Sequence, residues 1–401
     1  MTKKKVHSEE FIKTQNELTD KLSKISTQGA FNGFGVALTN DKEVLYQNGF
    51  GLANVETGEK YTENTIQNIA SVSKTFVGIA ILKAQELGKL KLDDPISKYL
   101  PYKIENPKFR ENPITIRQLV THTSSIRDNE EYLHRAWILN DTINLEKNLK
   151  IDIGVCRFSA PSTAVSMEDF LINVLTENGK WFKPTTFNDH KPGQLFDYSN
   201  MGTTLAALVL EKATGEKFDE FTEKYIFQPL KMESTGWGLR SIDMKKHSRL
   251  YLDKKTAYPY YMCVTYPDGS VITSSNDMSK YICEVMKGYT GNGTLLSKNS
   301  YKELFTQQLN AENFTDRSTS EYSDEYNMGI LMGFGSTGNF GHTGGDPGMF
   351  SVIWFDKNTK TGRYFIINTD WDDKNSGKTQ KEIYDVLDEY SVKLDKLSKA
   401  E

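Results

Sequence analysis

Apolar residues cluster at both ends of the chain in patterns that predict helices and strands. Residues 9–26 carry apolar side chains at helical spacing among polar ones, which predicts an amphipathic helix. Two short apolar runs between residues 33 and 47 are separated by Asn-Asp-Lys and predict a β-hairpin. Two further strand-like runs lie between residues 349 and 368, and helical spacing returns over 379–396. Strands from both chain ends favour one antiparallel sheet flanked by terminal helices.

The middle of the chain is mainly helical in pattern. Residues 71–87 are too densely apolar for a one-faced helix, which predicts a helix that is buried nearly all round and ends at Gly88. Further helical patterns follow between residues 114 and 240. We therefore predict an α+β fold with a mainly helical lobe inserted into the sheet. The predicted regions of this single unit, residues 1–401, are the sheet at approximately 30–90 and 265–375, the lobe at approximately 91–264, and a cap within it at 127–190.

Composition narrows the class of ligand. Lys and Arg number 49 against 53 Asp and Glu, and a formal net charge of -4 favours neither nucleic acid nor an anionic membrane. We expect a small-molecule or short peptide substrate, and the oligomeric state stays open. The three cysteines, Cys156, Cys263 and Cys283, are odd in number and lack metal-ligand spacing, so we expect buried apolar side chains.

Segments that direct export or span a membrane are not visible in the sequence. The chain begins with basic residues, but Ser8-Glu9-Glu10 stands where a signal peptide has its apolar core. An apolar run long enough to cross a bilayer is also missing. We expect a soluble protein, and its compartment stays open: periplasmic or extracellular if an export signal has been removed, otherwise cytoplasmic.

The first candidate motif is Ser71-Val72-Ser73-Lys74, at the start of the predicted buried helix. The i to i+3 spacing places the hydroxyl and the amine on one helix face. A serine needs an adjacent base to act as a nucleophile, and desolvation is expected to lower the pKa of Lys74 enough for that role. By itself the motif is weak, because S-x-x-K occurs by chance in many chains.

Two further motifs follow in the sequence. Tyr198-Ser199-Asn200 lies in a loop before a helix, where a tyrosine can shuttle protons and an asparagine amide can bind a substrate carbonyl. His342-Thr343-Gly344-Gly345 precedes a strand in a glycine-rich stretch, where one N–H could join that of Ser71 in an oxyanion hole. An ordinary capping loop and a glycine-rich hairpin are the alternatives when each motif is taken alone.

Together and in this order, the three motifs resemble those of the serine β-lactamase and penicillin-binding-protein superfamily. Within it the chain is most similar to the branch of class C β-lactamases, DD-carboxypeptidases, D-aminopeptidases and esterases, with S-x-x-K, then Y-x-N, then [KH]-[TS]-G. The resemblance covers roughly residues 30–370. Further matching stretches are residues 67–71, 87–101, 116–125 and 274–278.

The resemblance implies a role for each motif residue. Ser71 would be the nucleophile, Lys74 the base that activates it, and Tyr198 the partner in proton transfer to the leaving group. The N–H groups of Ser71 and Gly345 would form the oxyanion hole. The substrate-binding residues would be Asn200, His342, Thr343 and Gly344. The implied reaction is acylation followed by hydrolysis of an ester or amide bond, including D-amino-acid peptide bonds, with no metal and no cofactor.

Three departures from the family pattern bear on the substrate. His342 stands where most class C β-lactamases have lysine, which makes an esterase, an amidase or a D-amino-acid peptidase a better expectation than a β-lactamase. Ser125 replaces the glycine of T-H-T-S-G, and we expect His122 to bond locally rather than to bind a metal. Residues 127–190, which include Arg127, Arg135, Trp137, Trp181 and Phe182, form either a cap over the pocket or a solvated insertion.

Two alternatives to a turnover enzyme of this kind differ in what they require of the sequence. A penicillin-binding sensor that is acylated without turnover would keep the fold, although the intact Ser71, Lys74, Tyr198 and Asn200 speak against a decayed site. An α/β-hydrolase would need a G-x-S-x-G elbow, and Ser71 is flanked by Ala70 and Val72 instead of glycines two residues away.

Overall fold

The computed structural model of the protein describes residues 7–140, 158–314, 327–334, 339–370 and 375–401. Its helices are α1 (Glu9–Ser26), α2 (Lys74–Glu86), α3 (Ile116–Val120), α4 (Glu130–Arg135), α5 (Met167–Leu175), α6 (Asn200–Thr214), α7 (Phe218–Thr222), α8 (Gln228–Leu230), α9 (Ser275–Tyr289), α10 (Lys298–Phe305) and α11 (Ser376–Ala400). Its strands are β1 (Gly33–Asn40), β2 (Val44–Asn54), β3 (Glu59–Lys60), β4 (Ile66–Asn68), β5 (Trp137–Leu139), β6 (Gly236–Trp237), β7 (Tyr261–Cys263), β8 (Val271–Ser274), β9 (Asn327–Met328), β10 (Gly333–Phe334), β11 (Asn339–Asp346), β12 (Met349–Asp356) and β13 (Thr361–Ile367).

The main sheet joins the two ends of the chain. Its eight described strands run in the order β3-β2-β1-β13-β12-β11-β10-β9. Strand β1 from the amino end pairs antiparallel with β13 from the carboxyl end, with Val36 opposite Phe365. All eight residues of β1 and all seven of β13 are buried, because other layers cover both faces at the centre of the sheet. The predicted antiparallel sheet made from both chain ends is confirmed.

The terminal helices form the layer on one face of this sheet. Ser8 caps α1 by accepting a hydrogen bond from the N–H of Phe11. The apolar stripe of α1, including Phe11 and Leu18, packs with Ile383 and Leu387 of α11 in one buried cluster with β1 and β13. Each fully buried side chain of this size stabilises the fold by about 2 kcal/mol. The predicted flanking helices are therefore confirmed.

Helix α2 is the central element between the sheet and the lobe. Ten of its 13 residues are buried, so it lacks a solvent-facing side along most of its length. The ring of Phe76 stacks on Tyr281 of α9 with centroids 3.9 Å apart. Gly88 follows the helix with φ 69°, a left-handed conformation in which glycine carries no Cβ penalty. The helix that was predicted to be buried all round is confirmed, and its amino end lies at the site.

Short strands lie in the inserted lobe and at its border with the main sheet region. Trp137 of β5 pairs with Cys263 of β7, and β6 joins β4 and β8 in a separate three-stranded sheet. These strands of two to four residues are too short to leave an alternating pattern in the sequence. In the described part of 127–190, Tyr132 and Trp137 are buried in the main core. The cap and the region boundaries stay predictions.

Two of the three cysteines have the predicted environment. Cys263 and Cys283 are both buried. Cys156 lies outside the described residues.

Candidate active site

Ser71 lies in a 3-10 turn, Ala70–Ser73, that leads directly into α2. Ala70 before it has φ 44°, a left-handed conformation that costs a non-glycine residue about 1 kcal/mol. The Nζ of Lys74, one turn further on, donates to the Oγ of Ser71 over 2.9 Å. The sequence prediction that this pair shares one face is therefore met by a direct contact.

Lys74 is fully buried and makes two more hydrogen bonds. Its Nζ donates to Oδ1 of Asn200 over 2.6 Å and to the backbone carbonyl of Asp268 over 2.5 Å. Three acceptors match the three N–H donors of an ammonium group. The structure thus places Lys74 between the serine turn, the first residue of α6 and the segment that carries Asp268.

The charge state of Lys74 differs from the sequence expectation. Burial is the largest influence and would lower its pKa, but interactions with Tyr198, Asp268 and Asp128 outweigh it, so the pKa of Lys74 is raised. The expectation of a lowered pKa was wrong because Tyr198 and then the carboxyl groups of Asp268 and Asp128, all from segments distant in sequence, come to lie around Lys74. Lys74 is therefore a cation in the resting protein, and it serves Ser71 as a hydrogen-bond donor.

The loop that holds Tyr198 is braced by His122. The two rings lie with centroids 4.4 Å apart, and Nδ1 of His122 accepts the backbone N–H of Ser199 over 3.2 Å. Burial, followed by the charges of Lys74 and His342, lowers the pKa of His122 well below its ordinary value. His122 thus bonds locally, as predicted, and Tyr198 remains 37 % exposed beside the Lys74 ammonium, which lies 5.1 Å from its ring centroid.

Strand β11 packs closely against the serine turn through Gly344. A methyl group added at Gly344 would lie 2.5 Å from the carbonyl oxygen of Ile69 and 2.9 Å from the backbone nitrogen of Ser71. Ser351 of β12 adds a hydrogen bond from its Oγ to the same Ile69 carbonyl, at 2.7 Å. The absence of a side chain at Gly344 therefore allows β11 to bring the next residue, Gly345, to the nucleophile.

His342 lies on the same strand, on the side of Tyr198. Its Nδ1 is 2.6 Å from the carbonyl oxygen of Thr343, so this nitrogen carries the proton, and its ring centroid lies 6.2 Å from that of Tyr198. Although the ring is only partly covered from solvent, desolvation and the Lys74 charge lower the pKa of His342 to about 4. His342 is therefore neutral near pH 7, unlike a lysine in its place.

Ser71 and Gly345 lie where two clefts meet. The smaller cleft, of about 570 Å³, is lined by both residues together with Tyr198, His342 and Thr343. The larger, of about 820 Å³, is lined by both residues together with other groups. These others include Asn200, the aromatic side chains of Tyr132, Trp137, Tyr258 and Phe350, and the carboxyl groups of Asp268, Asp346 and Asp370. The structure thus brings all the predicted site residues to one place.

Asp346 is a wall residue of the larger cleft that sequence reasoning missed. Its Oδ2 accepts a hydrogen bond from Nδ2 of Asn68 over 3.2 Å, and its Oδ1 accepts one from the indole of Trp137 at 3.4 Å. Burial and the nearby Asp268 raise its pKa to about 7. Its position directly after Gly345 was the available signal, but an aspartate after the motif has many other uses.

Sequence reasoning assigned no role to Ser125 and missed Asp128. Ser125, which replaces the family glycine, adopts φ 67°, and its hydroxyl accepts a hydrogen bond from Nδ2 of Asn106 over 3.1 Å. Asp128 lies at the amino end of α6 and accepts hydrogen bonds from Asn200.

Within the described residues, a group of three or more His, Cys, Asp or Glu arranged to hold a metal is not present.

The fold and the serine–lysine site together define the class of β-lactamases and penicillin-binding proteins, a superfamily of serine hydrolases. The chain belongs to the Beta-lactamase family, whose family model matches residues 18–386. D-amino acid amidase from Ochrobactrum anthropi SV3 superposes with a TM-score of 0.69 at 17 % identity, covering 94 % of this chain and 99 % of that one. At that identity the likeness shows the fold alone.

Sequence relatives agree with this assignment. PbpX of Bacillus subtilis (strain 168), named as a penicillin-binding protein, is 24 % identical over 387 residues, which cover 95 % of this chain and 81 % of that protein. Protein flp of Staphylococcus aureus (strain MW2) is 26 % identical over 259 residues, or 64 % of this chain. The match covers 45 % of flp, so the chain spans about half the length of this relative.

None of the helices in the described residues combines the length and the apolar character that crossing a membrane requires.

Proposed function

We propose that the protein is a serine hydrolase that forms an acyl-enzyme on an ester or amide bond, including bonds in D-amino-acid peptides. The observation that supports this most directly is the 2.9 Å contact between Lys74 Nζ and Ser71 Oγ at the junction of two clefts. A nucleophile needs a proton-handling partner within hydrogen-bond reach, and this contact supplies one.

In the proposed acylation, Ser71 Oγ bonds to the substrate carbonyl carbon and its proton passes to the Lys74–Tyr198 pair. The N–H groups of Ser71 and Gly345 stabilise the negative charge that forms on the carbonyl oxygen. The bond to the leaving group then breaks, and the leaving group takes the proton from the same pair. Water attacks the ester of Ser71 in the same manner, releases the acid and restores the serine.

The lining of the larger cleft supports a neutral or cationic acyl group. It holds the carboxyl groups of Asp268, Asp346 and Asp370 beside aromatic faces, and its described lining includes neither lysine nor arginine. An ammonium group is favoured by carboxylates and by aromatic faces, whereas an anionic group is disfavoured there. We therefore favour amides and esters of amino acids with a free amino group, in line with the D-amino acid amidase of the same fold.

The nucleophile is tested by intact mass after incubation with a labelled penicillin and with an activated ester. We expect an adduct on wild type and on Ser97→Ala, an exposed serine outside the clefts, but not on folded Ser71→Ala. A persistent adduct without turnover would identify the alternative, a penicillin-binding sensor. Rapid release of hydrolysed penicillin would identify a β-lactamase. A Ser71→Ala variant that is folded and still turns over substrate would refute the proposed function.

The acyl group is tested with D-phenylalanine amide and its N-acetyl derivative at about pH 7.5, where most of Asp346 is ionised and most of the substrate amine is still protonated. We expect wild type to prefer the free amine by about tenfold in kcat/KM, because one favourable charge contact is worth roughly 1.4 kcal/mol. Asp346→Asn should remove most of this preference, while Asp385→Asn, on the exposed face of α11, should keep it. Equal preference in wild type and Asp346→Asn would show that Asp346 does not select the acyl group.

A further inference from the structure

We propose that Asp128 is a positioning residue that fixes the orientation of the Asn200 side-chain amide and, through it, the position of Lys74. The inference concerns a residue that none of the three motifs contains. Its consequence for catalysis rests on the proposed function, whereas its consequence for the amide does not.

The carboxylate of Asp128 is held at the amino end of α6 by four donors. Its Oδ2 accepts hydrogen bonds from the backbone N–H of Asn200 over 2.9 Å and from Nδ2 of the same residue over 2.7 Å. Its Oδ1 accepts hydrogen bonds from the N–H of Met201 over 3.0 Å and from Oγ of Ser199 over 3.3 Å. Four donors fill the acceptor capacity of a carboxylate, so this group has one stable arrangement.

This arrangement decides which way the Asn200 amide faces. A carboxylate only accepts hydrogen bonds, so the NH₂ of Asn200 must point to Asp128 and its Oδ1 must point away. The Oδ1 then lies 2.6 Å from Nζ of Lys74, as an acceptor for the ammonium. In the flipped amide, NH₂ would face the ammonium and the contact would be repulsive. The carboxylate of Asp128 excludes that flip.

The same orientation leaves a donor for substrate. The NH₂ of Asn200 has two hydrogens, and one of them is used by Asp128. The second is available to a carbonyl oxygen in the larger cleft, which Asn200 lines. Asp128 therefore bears on both the Lys74 contact and the substrate-facing N–H of Asn200.

A simple helix-capping role for Asp128 must be separated from positioning. The cap of α6 is already Ser199, whose Oγ accepts the N–H of Gly202 over 2.9 Å. Losing either Asp128 or Ser199 weakens the start of α6, but only the loss of Asp128 frees the amide of Asn200. Ser199→Ala is thus a matched control for the stability of the helix end.

The charge of Asp128 sets the pH for the test. Burial is the largest influence and, after opposition from the N–H groups of Met201 and Asn200, its pKa is raised to about 6. The charged groups that act on it are Asp268, in the turn before β8, and Lys74 on α2. His122, close by on the other side of Ser199, is kept neutral by burial. At pH 8 the carboxylate is ionised, so replacement by asparagine changes its acceptor chemistry and its charge.

The first readout is structural and does not depend on activity. In protein labelled with ¹⁵N-asparagine, the side-chain amide of Asn200 is assigned by its loss in Asn200→Ala. We expect its hydrogen exchange to be slow in wild type and in Ser199→Ala, and about tenfold or more faster in Asp128→Asn, because the carboxylate contact protects it. Unchanged exchange in Asp128→Asn would overturn the inference.

The second readout is a double-mutant cycle on the acylation rate. We expect Asp128→Asn to slow acylation of Ser71 by about 10- to 100-fold, and Ser199→Ala by about threefold or less. In the Asn200→Ala background Asp128→Asn should have little further effect, because the residue acts through Asn200. Full additivity would overturn positioning, and a wild type without acylation but with the exchange effect would reject only the proposed function.

Discussion

Lys74 Nζ lies 2.9 Å from Ser71 Oγ and acts there as a hydrogen-bond donor. Because the pKa of Lys74 is raised, the ammonium form dominates at neutral pH. The ammonium orients the serine oxygen for attack, but it has no lone pair with which to take the serine proton. Acylation therefore requires a form of the Lys74–Tyr198 pair that has lost one proton. This requirement gives the site a definite dependence on pH.

We predict that the acylation rate constant rises with pH by about tenfold per unit from pH 6 through the alkaline range, since one proton must leave the pair. Lys74→Ala should lower the rate by about 10²- to 10⁴-fold and abolish the slope. Lys83→Ala, at the last turn of the same helix, should keep the wild-type profile. Stopped-flow acylation across pH measures both. A flat wild-type profile above pH 7 would indicate a neutral lysine and contradict the prediction.

The two adjacent glycines of β11 should respond very differently to alanine. A methyl at Gly344 would lie 2.5 Å from Ile69 O and 2.9 Å from Ser71 N, so β11 must move away from the serine turn. A methyl at Gly345 would have nothing within 4 Å and keeps its N–H. We expect Gly344→Ala to lower kcat by about 10²-fold or more, and Gly345→Ala to change it by less than about fivefold. Similar losses for both, with unchanged folding, would argue against this packing.

Much of the fold could be predicted because the signals for it are local. The helical stripe of residues 9–26 reflects burial of one helix face. The apolar runs of β12 and β13 reflect strands that are buried along most or all of their length. The three motifs could be joined in one site only through the family resemblance, which supplies their proximity. The short strands β5 and β7 pair across more than a hundred residues, and three residues are too few to show alternation.

The electrostatics of the site could not be predicted in the same way. Asp128, Asp268 and Asp346 act on Lys74 or on one another through the folded chain, and no fixed spacing links them to the S-x-x-K motif. Burial of Lys74 alone predicts a lowered pKa, and the direction reverses once Tyr198 and the carboxyl groups of Asp268 and Asp128 are placed beside it. The sign of a pKa shift at a buried site thus depends on tertiary neighbours.

His342 should determine how the smaller cleft treats carboxylates. Its pKa of about 4 keeps it neutral near pH 7, so it offers no positive charge to the leaving-group side. We expect His342→Lys to raise kcat/KM for a D-peptide with a free terminal carboxylate by about tenfold relative to the same peptide as an amide. His342→Gln, which is neutral like the native residue, should leave that ratio unchanged. A ratio that is insensitive to lysine would place the carboxylate elsewhere.

The carboxyl of Asp346 should make the protein less stable as pH rises. Its pKa is about 7 in the fold against 3.8 in the unfolded chain, so between these values the folded state binds the extra proton. The free energy of unfolding therefore falls from about pH 4 to pH 7 and is then constant with respect to this group. The contribution of protonated Asp346 to the free energy of unfolding is complete below about pH 4 and is lost as the pH rises through 7.

The Asp346→Asn variant tests whether the negative charge of Asp346 lowers the stability of the folded protein. Because Asp346 is partly exposed, solvent screening reduces the penalty for ionising its carboxyl group in the folded protein. We expect the ionised carboxyl to lower the free energy of unfolding by about 2 kcal/mol at pH 8. Asp346→Asn should then unfold at a higher denaturant concentration than wild type at pH 8 but not at pH 4.5, and Asp385→Asn should show no such gain. If Asp346→Asn is more stable at pH 8 but no longer prefers the free amine over its N-acetyl derivative, the carboxyl group of Asp346 selects the acyl group and lowers the stability of the fold. A variant that is less stable at both pH values would instead make the contacts with Asn68 and Trp137 its main role, since an amide keeps only one acceptor oxygen for these two donors.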